Sequence, residues 1–245
     1  MNIDESIYAK SKQDKAYLDR TITAIFYRDD EALNTIYHEI CDIKHNVALN
    51  ICKLGYYVYF DDRNQNEFVM VLEHIVSNLT NLEVLLYLYL ASWYFMKNFN
   101  YKTALEIVEL SNDIKNVNPF IKAMLSEMRF KIYYKLNMDV MKENAYYQAI
   151  EIFQEYNNLY RMTDLTLARI ESMILKNPKY ALKLLKTLQI RILISSQKDY
   201  YYLLSGEVYF HLKQYQEASL KLKNISSESI YYIRKMVLLY EMCLH

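Results

Sequence analysis

The sequence predicts an all-α chain built from helical hairpins, and three observations carry that prediction. The 245 residues include only two glycines and two prolines. Sheets and long loops use those residues at turns, so their scarcity calls for helices joined by short connections. Apolar residues also recur at helical spacing, as in Ile121, Met124, Leu125, Met128 and Ile132, or Leu182, Leu185 and Leu188. Finally, Tyr202, Gly206, Tyr209, Ala218, Leu222 and Ile225 form the pattern of one tight helix pair. Small residues stand where two helices cross, and bulky ones fill the groove beside them.

That pattern is tetratricopeptide-like, and it recurs. Ala32, Ala104, Ala145, Ala181 and Ala218 each fall early in the second helix of a hairpin, at gaps that suit two-helix repeats. Phe68 falls near the one missing position, so the second hairpin is the least faithful copy. In order, the spacing predicts helices over 13–28 and 30–43, joined at Arg28-Asp29-Asp30, where an aspartate can cap the second helix. The next pairs cover 45–60 and 66–79, joined through Asp61-Asp62, then 82–97 and 101–115. Pro119 opens a helix over 119–136, followed by 142–157. Helices over 159–176 and 178–188 come next, the second opening on Pro178, then 198–212, 214–224 and a last helix over 228–243. Gln189 to Ser196 is the least regular stretch, with Ser195-Ser196 read as a turn. No Pro/Gly/Ser linker divides the chain, so 1–245 is expected to be one solenoid domain. Such solenoids bind on a concave face rather than catalyse.

Charge and cysteine usage narrow the function. Twenty-nine basic residues balance 29 acidic ones, and no basic stripe appears, which argues against direct nucleic-acid binding. Cys41, Cys52 and Cys243 are odd in number and unpaired in spacing, so they read as free, mostly buried thiols of a reducing cytoplasm. Asp4, Glu5 and Lys10 interrupt any early apolar run, so no signal peptide is expected. Val84 to Met96 is apolar but too short to span a bilayer and reads as a buried helix. The 26 tyrosines suit a half-wet groove wall, although an AT-rich codon bias explains them as well.

Few constellations could carry chemistry. His38, Cys41 and His45 stand at i, i+3 and i+7, a spacing open to zinc if the helix is unbroken. A turn near Lys44 separates them, and no fourth ligand is near, so no metal or cofactor is expected. No phosphate loop, nucleophile elbow or paired-histidine zinc motif is present, so an enzyme is not expected. Paired acids such as Asp29-Asp30 sit at helix junctions, where capping accounts for them. The remaining candidates are polar groove residues that could fix a peptide. Asn137 can pair with amides and Arg161 with carboxylates; each also reads as a surface cap or a solvated arginine. Tyr133, Tyr134, Tyr201 and Tyr202 are candidate wall residues. On the last helix, Ile230, Ile233, Met236, Val237 and Tyr240 form an apolar face suited to capping the solenoid or pairing two copies.

From about Ala104 onward the chain resembles the phage arbitrium receptors, which belong to the tetratricopeptide peptide-pheromone sensors of low-GC bacteria and their phages. The resemblance lies in Ile132-Tyr133-Tyr134-Lys135-Leu136-Asn137, Asn157 to Arg161, Asn177 to Leu185, Tyr201 to Gly206 and Tyr231-Tyr232-Ile233-Arg234. It implies a right-handed superhelix that binds a short communication peptide and dimerises partly through its C-terminal helix. The family arginine that holds a peptide carboxylate corresponds to Arg161, and a peptide-clamping asparagine corresponds to Asn137. Other polar contacts fall on Tyr133, Ser196 and Ser229, where this chain departs from the family pattern. The family also carries an N-terminal helix-turn-helix domain, whereas this sequence opens at the solenoid; the expectation is a regulator without a DNA-binding domain of its own. The function expected is a regulator that binds a short peptide or a folded protein partner, lies in the cytoplasm and forms a homodimer, with no nucleic-acid or membrane partner. The alternative is a peptide-independent scaffold, or an inhibitor that captures a host, toxin or regulator protein.

Overall fold

The computed structural model describes residues 2–43, 46–61, 65–66, 69, 79–115 and 118–244, with side chains from residue 12 onward. Among them are twelve α-helices and two 3-10 turns, and no strand. The chain divides into two compact units, 1–156 and 157–245.

The first unit contains α1 (Asn2–Tyr27), α2 (Asp30–Ile40), α3 (Val47–Phe60), α4 (Asn81–Lys97), α5 (Tyr101–Glu109), a 3-10 turn (Leu110–Asp113), α6 (Pro119–Lys135) and α7 (Asp139–Glu155). Each helix start has a local cause. Asp29 caps α2 by accepting from the Ala32 amide at 2.9 Å. Thr80 and Glu83 form a reciprocal capping box at α4. Asn46, Asn100 and Asn118 cap α3, α5 and α6, and Pro119 occupies the first turn of α6. Helix α1 begins about ten residues earlier than the apolar spacing indicates. The stretch before Gln13 holds neither glycine nor proline to end the helix. At the far end of α1, Phe26 stacks on Phe120 with ring centroids 4.2 Å apart, joining α1 to the start of α6. Lys53 is buried and donates to the carbonyls of Cys41 and Ile43 at 3.0 and 2.7 Å, which satisfies chain-end acceptors beyond α2. Of the expected helix 66–79, residues 66 and 69 are helical and residue 79 is not; the rest, with Phe68 and Asp62, lies outside the described residues.

The second unit contains α8 (Leu159–Met173), α9 (Pro178–Thr187), a 3-10 turn (Ile190–Ile192), α10 (Ser195–His211), α11 (Tyr215–Leu222) and α12 (Tyr232–Cys243). Its core joins Leu167, Ile170, Ala181, Leu185 and Leu204 to the neighbouring cluster of Leu203, Leu222, Ile225 and Leu238. Asn158 and Asn177 cap α8 and α9. Two expectations are corrected. Ser195 and Ser196 open α10 rather than forming a turn. The last helix begins at Tyr232, not at 228, because the hydroxyls of Ser226 and Ser229 accept from the amides of Glu228 and Tyr231 and hold a turn there.

The recurring small residues behave as crossing points. Ala104, Ala145, Ala181 and Ala218 are all buried, and Ala32 is partly so. The thiols are less uniform than expected. Cys52 is buried, Cys41 is half-buried and Cys243 is exposed at the end of α12. The segment around Val84 to Met96 forms α4, and no described helix is long and apolar enough to cross a membrane.

Candidate functional site

A polar groove runs along the α6–α7 hairpin of the first unit. Helix α6 contributes Lys122, Ser126, Arg129 and Tyr133, and α7 contributes Asn144, Gln148, Glu151 and Glu155. These positions recur every three or four residues, so each set faces one side of its helix. The main cleft measures about 450 Å³, and an adjoining one of about 200 Å³ shares Asn112, Arg129 and Gln148 with it. Ser126 and Gln148 approach within 3.5 Å across the hairpin.

Arg129 stands where the two clefts meet. Its Nη2 donates to the Val108 carbonyl at 3.1 Å, to Ser111 Oγ at 2.6 Å and to Asn112 Oδ1 at 2.7 Å. Its Nε is buried without a hydrogen bond, 3.8 Å from Glu109 Oε1. Glu109 in turn accepts the Tyr133 hydroxyl and the Asn112 amide. Burial lowers the proton affinity of Arg129, and Glu109 restores part of it. Burial and the Glu109 carboxylate push the Tyr133 phenol up to about 12, so it remains a donor.

The second unit has its own cleft of about 360 Å³ between the start of α10 and the turn before α12. Ser196 and Ser229 line it together with Asp199, Glu228 and Tyr231. Beside it, Arg234 of α12 grips Glu207 with Nε and Nη2 at 2.6 and 2.8 Å and reaches Glu171 with Nη1 at 2.6 Å. The Tyr200 hydroxyl donates to the same Glu171 at 2.7 Å, and its ring stacks on Tyr231 at 4.9 Å. This network fastens α12 to α8 and α10.

Of the residues expected at a peptide site, Tyr133, Tyr134 and Asn137 belong to the first unit and Arg161, Tyr201 and Tyr202 to the second. Tyr133 lines the α6–α7 groove. Tyr134 is half-buried under Lys135, whose ammonium lies 5.1 Å from its ring centroid. Asn137 is exposed in the turn between α6 and α7, in the left-handed conformation at φ 57° that asparagine tolerates. Arg161 is 2 % exposed, among the most deeply buried large side chains. Tyr201 belongs to the core of the second unit, and Tyr202 packs against it. Ser196 and Ser229 do come together, in the second cleft. Arg129, Asn112 and Gln148 were not anticipated. For Arg129 the signal was the polar face of α6 beside the apolar Ile121, Met124, Met128 and Ile132 stripe; Asn112 and Gln148 come from the 3-10 turn and α7, which spacing within α6 does not reach. Cys41 Sγ donates to the His38 carbonyl at 3.5 Å, and His45 lies outside the described residues.

On the last helix, Ile233, Met236, Val237 and Tyr240 are exposed, and Ile230 precedes the helix at 84 % exposure. Only Leu238 is buried. The apolar stripe therefore faces away from the core of its own unit.

No protein-family model matches the sequence, and no curated protein matches it. Solved structures do. The chain is similar to NprR in complex with its cognate peptide NprX, with a TM-score of 0.78 at 15% identity over 94% of this chain and 72% of that one. It is similar to the apo form of the quorum sensor NprR from B. thuringiensis, with a TM-score of 0.81 at 16% identity over 95% and 71% of the two chains. A Rap protein complexed with Competence and Sporulation Factor matches with a TM-score of 0.70 at 16% identity over 95% and 67%. At such identities the likeness is one of fold: the chain shares the all-α, tetratricopeptide-like helical-hairpin architecture of NprR and Rap proteins.

Proposed function

We propose that the chain is a non-catalytic regulatory protein that binds a short linear peptide and changes its partner or shape in response. The observation that carries this reading is the polar groove along α6 and α7, lined by amide and hydroxyl groups that suit a peptide backbone. One of the similar folds was solved with its cognate peptide, NprX, and another with Competence and Sporulation Factor. The arbitrium-like segments around Tyr133 and Arg161 support a finer version, a cytoplasmic regulator of a phage or mobile element that controls lysogeny. In it, Asn137 and Arg161 anchor the peptide and Tyr133, Tyr134, Tyr201 and Tyr202 form the wall. The balanced charge argues against direct DNA contact by these residues.

The test is retention of synthetic peptides of five to ten residues by the purified protein, read by native mass spectrometry. Retention of defined sequences at one peptide per chain is the expected result. A protein that retains none from a diverse pool is not a peptide sensor.

The exposed stripe of Ile233, Met236, Val237 and Tyr240 favours a second reading, in which a protein partner docks on α12. The occupant we favour is a second copy of the chain, giving a homodimer. Capture of a host, toxin or regulator protein by the same face is the scaffold alternative.

A further inference from the structure

The guanidinium of Arg129 is only partly used by its own fold. All three of its hydrogen bonds leave from Nη2. Nε is buried and unbonded, and Nη1 makes no hydrogen bond among the described residues. Glu109 stands too far for a direct bond, at 3.8 Å, and its oxygens already serve Tyr133 and Asn112. The side chain is 13 % exposed, and it lines both connected clefts. Arg129 is therefore a half-buried cation, paired only at a distance with Glu109 and with Nη1 donors to spare beside a cleft, where an entering carboxylate could accept from them. Further along α7, Glu151 and Glu155 line the groove and repel an anion, so the charge preference is local to Arg129.

From Lys122 to Tyr133 the α6 wall rises about 16 Å, at roughly 1.5 Å per residue. An extended chain advances about 3.3 Å per residue, so the groove accommodates roughly five residues. We propose that this groove binds an extended acidic peptide of about that length and that Arg129 receives its carboxylate. The inference rests on the peptide-binding reading above and adds the chemistry of the ligand. The carboxylate comes either from an Asp or Glu side chain or from the peptide's C-terminus.

Three pools of random pentapeptides separate these outcomes: one Asp with an amidated end, no acid with a free C-terminus, and no acid with an amidated end. Retention on the wild-type protein is measured by native mass spectrometry. The expected result is about tenfold or greater enrichment of one carboxylate pool over the neutral pool, and the enriched pool identifies the source. The preference should fall to near unity in Arg129→Gln. Equal retention of all three pools overturns the proposal and leaves peptide binding intact, whereas retention of none overturns both. The wild-type comparison stands even if Arg129→Gln fails to fold. In that case Glu151→Gln, an exposed groove position, provides the second variant: a preference set by Arg129 persists in it, and one that collapses there overturns the assignment.

Discussion

The side chain of Leu222 occupies the space that a β-carbon on Gly206 would need, with Cδ2 2.5 Å and Cγ 2.6 Å from that position. Gly206 lies within α10 and Leu222 ends α11, so the pair sets how closely this hairpin closes. Neither backbone is strained; the glycine is there for room.

Gly206→Ala should therefore destabilise the protein by about 1–3 kcal/mol, because overpacking outweighs the helix propensity gained. Leu222→Ala should lose its own core contacts, and the double variant should be more stable than the sum of the two losses. Urea denaturation of the four proteins checks this. Strict additivity would mean that the two residues do not compete for space.

Arg234 holds two carboxylates at once and is nearly half exposed. Solvent screening limits the value of the ion pairs, so Arg234→Ala should cost about 1–2 kcal/mol. The loss should concentrate in the docking of α12. Amide hydrogen exchange should accelerate in residues 232–243 while α6 and α7 keep their protection. Uniform acceleration would show that the network supports the whole unit rather than one helix.

Alkaline pH should destabilise the fold in a defined window. Burial pushes the Cys52 thiol up to about 12 from its ordinary value near 9, and the Tyr133 and Tyr231 phenols rise to about 12. Below about pH 9 both folded and unfolded chains keep these protons. Above it the unfolded chain releases protons that the folded chain retains, so stability falls as pH rises towards the folded values. Each group contributes at most about 1.4 kcal/mol per pH unit. Between pH 9 and 10 the thiol dominates, and Cys52→Ala should flatten the fall in urea midpoint there. An unchanged slope would reassign the effect.

If two copies pair through α12, Ile233→Asp and Val237→Asp should each yield a monomer. Both side chains are exposed in the single chain, at 78 % and 53 %. The monomer's own stability should therefore change by less than about 0.5 kcal/mol. Light scattering at tens of micromolar, paired with thermal denaturation, distinguishes loss of pairing from loss of folding.

The hairpins were legible because their signals are local. Proline at the start of α6 and α9, an aspartate before α2 and alanines at the crossings each act within one or two turns. The groove was less legible because its members come from α5, the following 3-10 turn, α6 and α7, and only tertiary packing brings Glu109 and Ser111 to Arg129. Arg161 illustrates the converse difficulty. A charged residue at a helix start reads as exposed, yet this one is buried with its amide held by Asn158 at 3.1 Å. Linear spacing carries helix faces well, but it does not rank two arginines by depth.

The turns hold an unusual reserve. Arg28, Asp61, Phe99, Asn137, Asn157 and Lys213 all adopt left-handed backbone angles, with φ between 51° and 60°, while neither glycine does. Three of these six, Arg28, Phe99 and Lys213, are neither asparagine nor aspartate, so each keeps a conformation that costs roughly 1 kcal/mol. Arg28→Gly, Phe99→Gly and Lys213→Gly would relieve that cost at separated sites, set against the greater freedom glycine gives the unfolded chain. The connectors thus act as independent tuning screws, through which the rigidity of each hairpin can be adjusted without altering a residue of the groove.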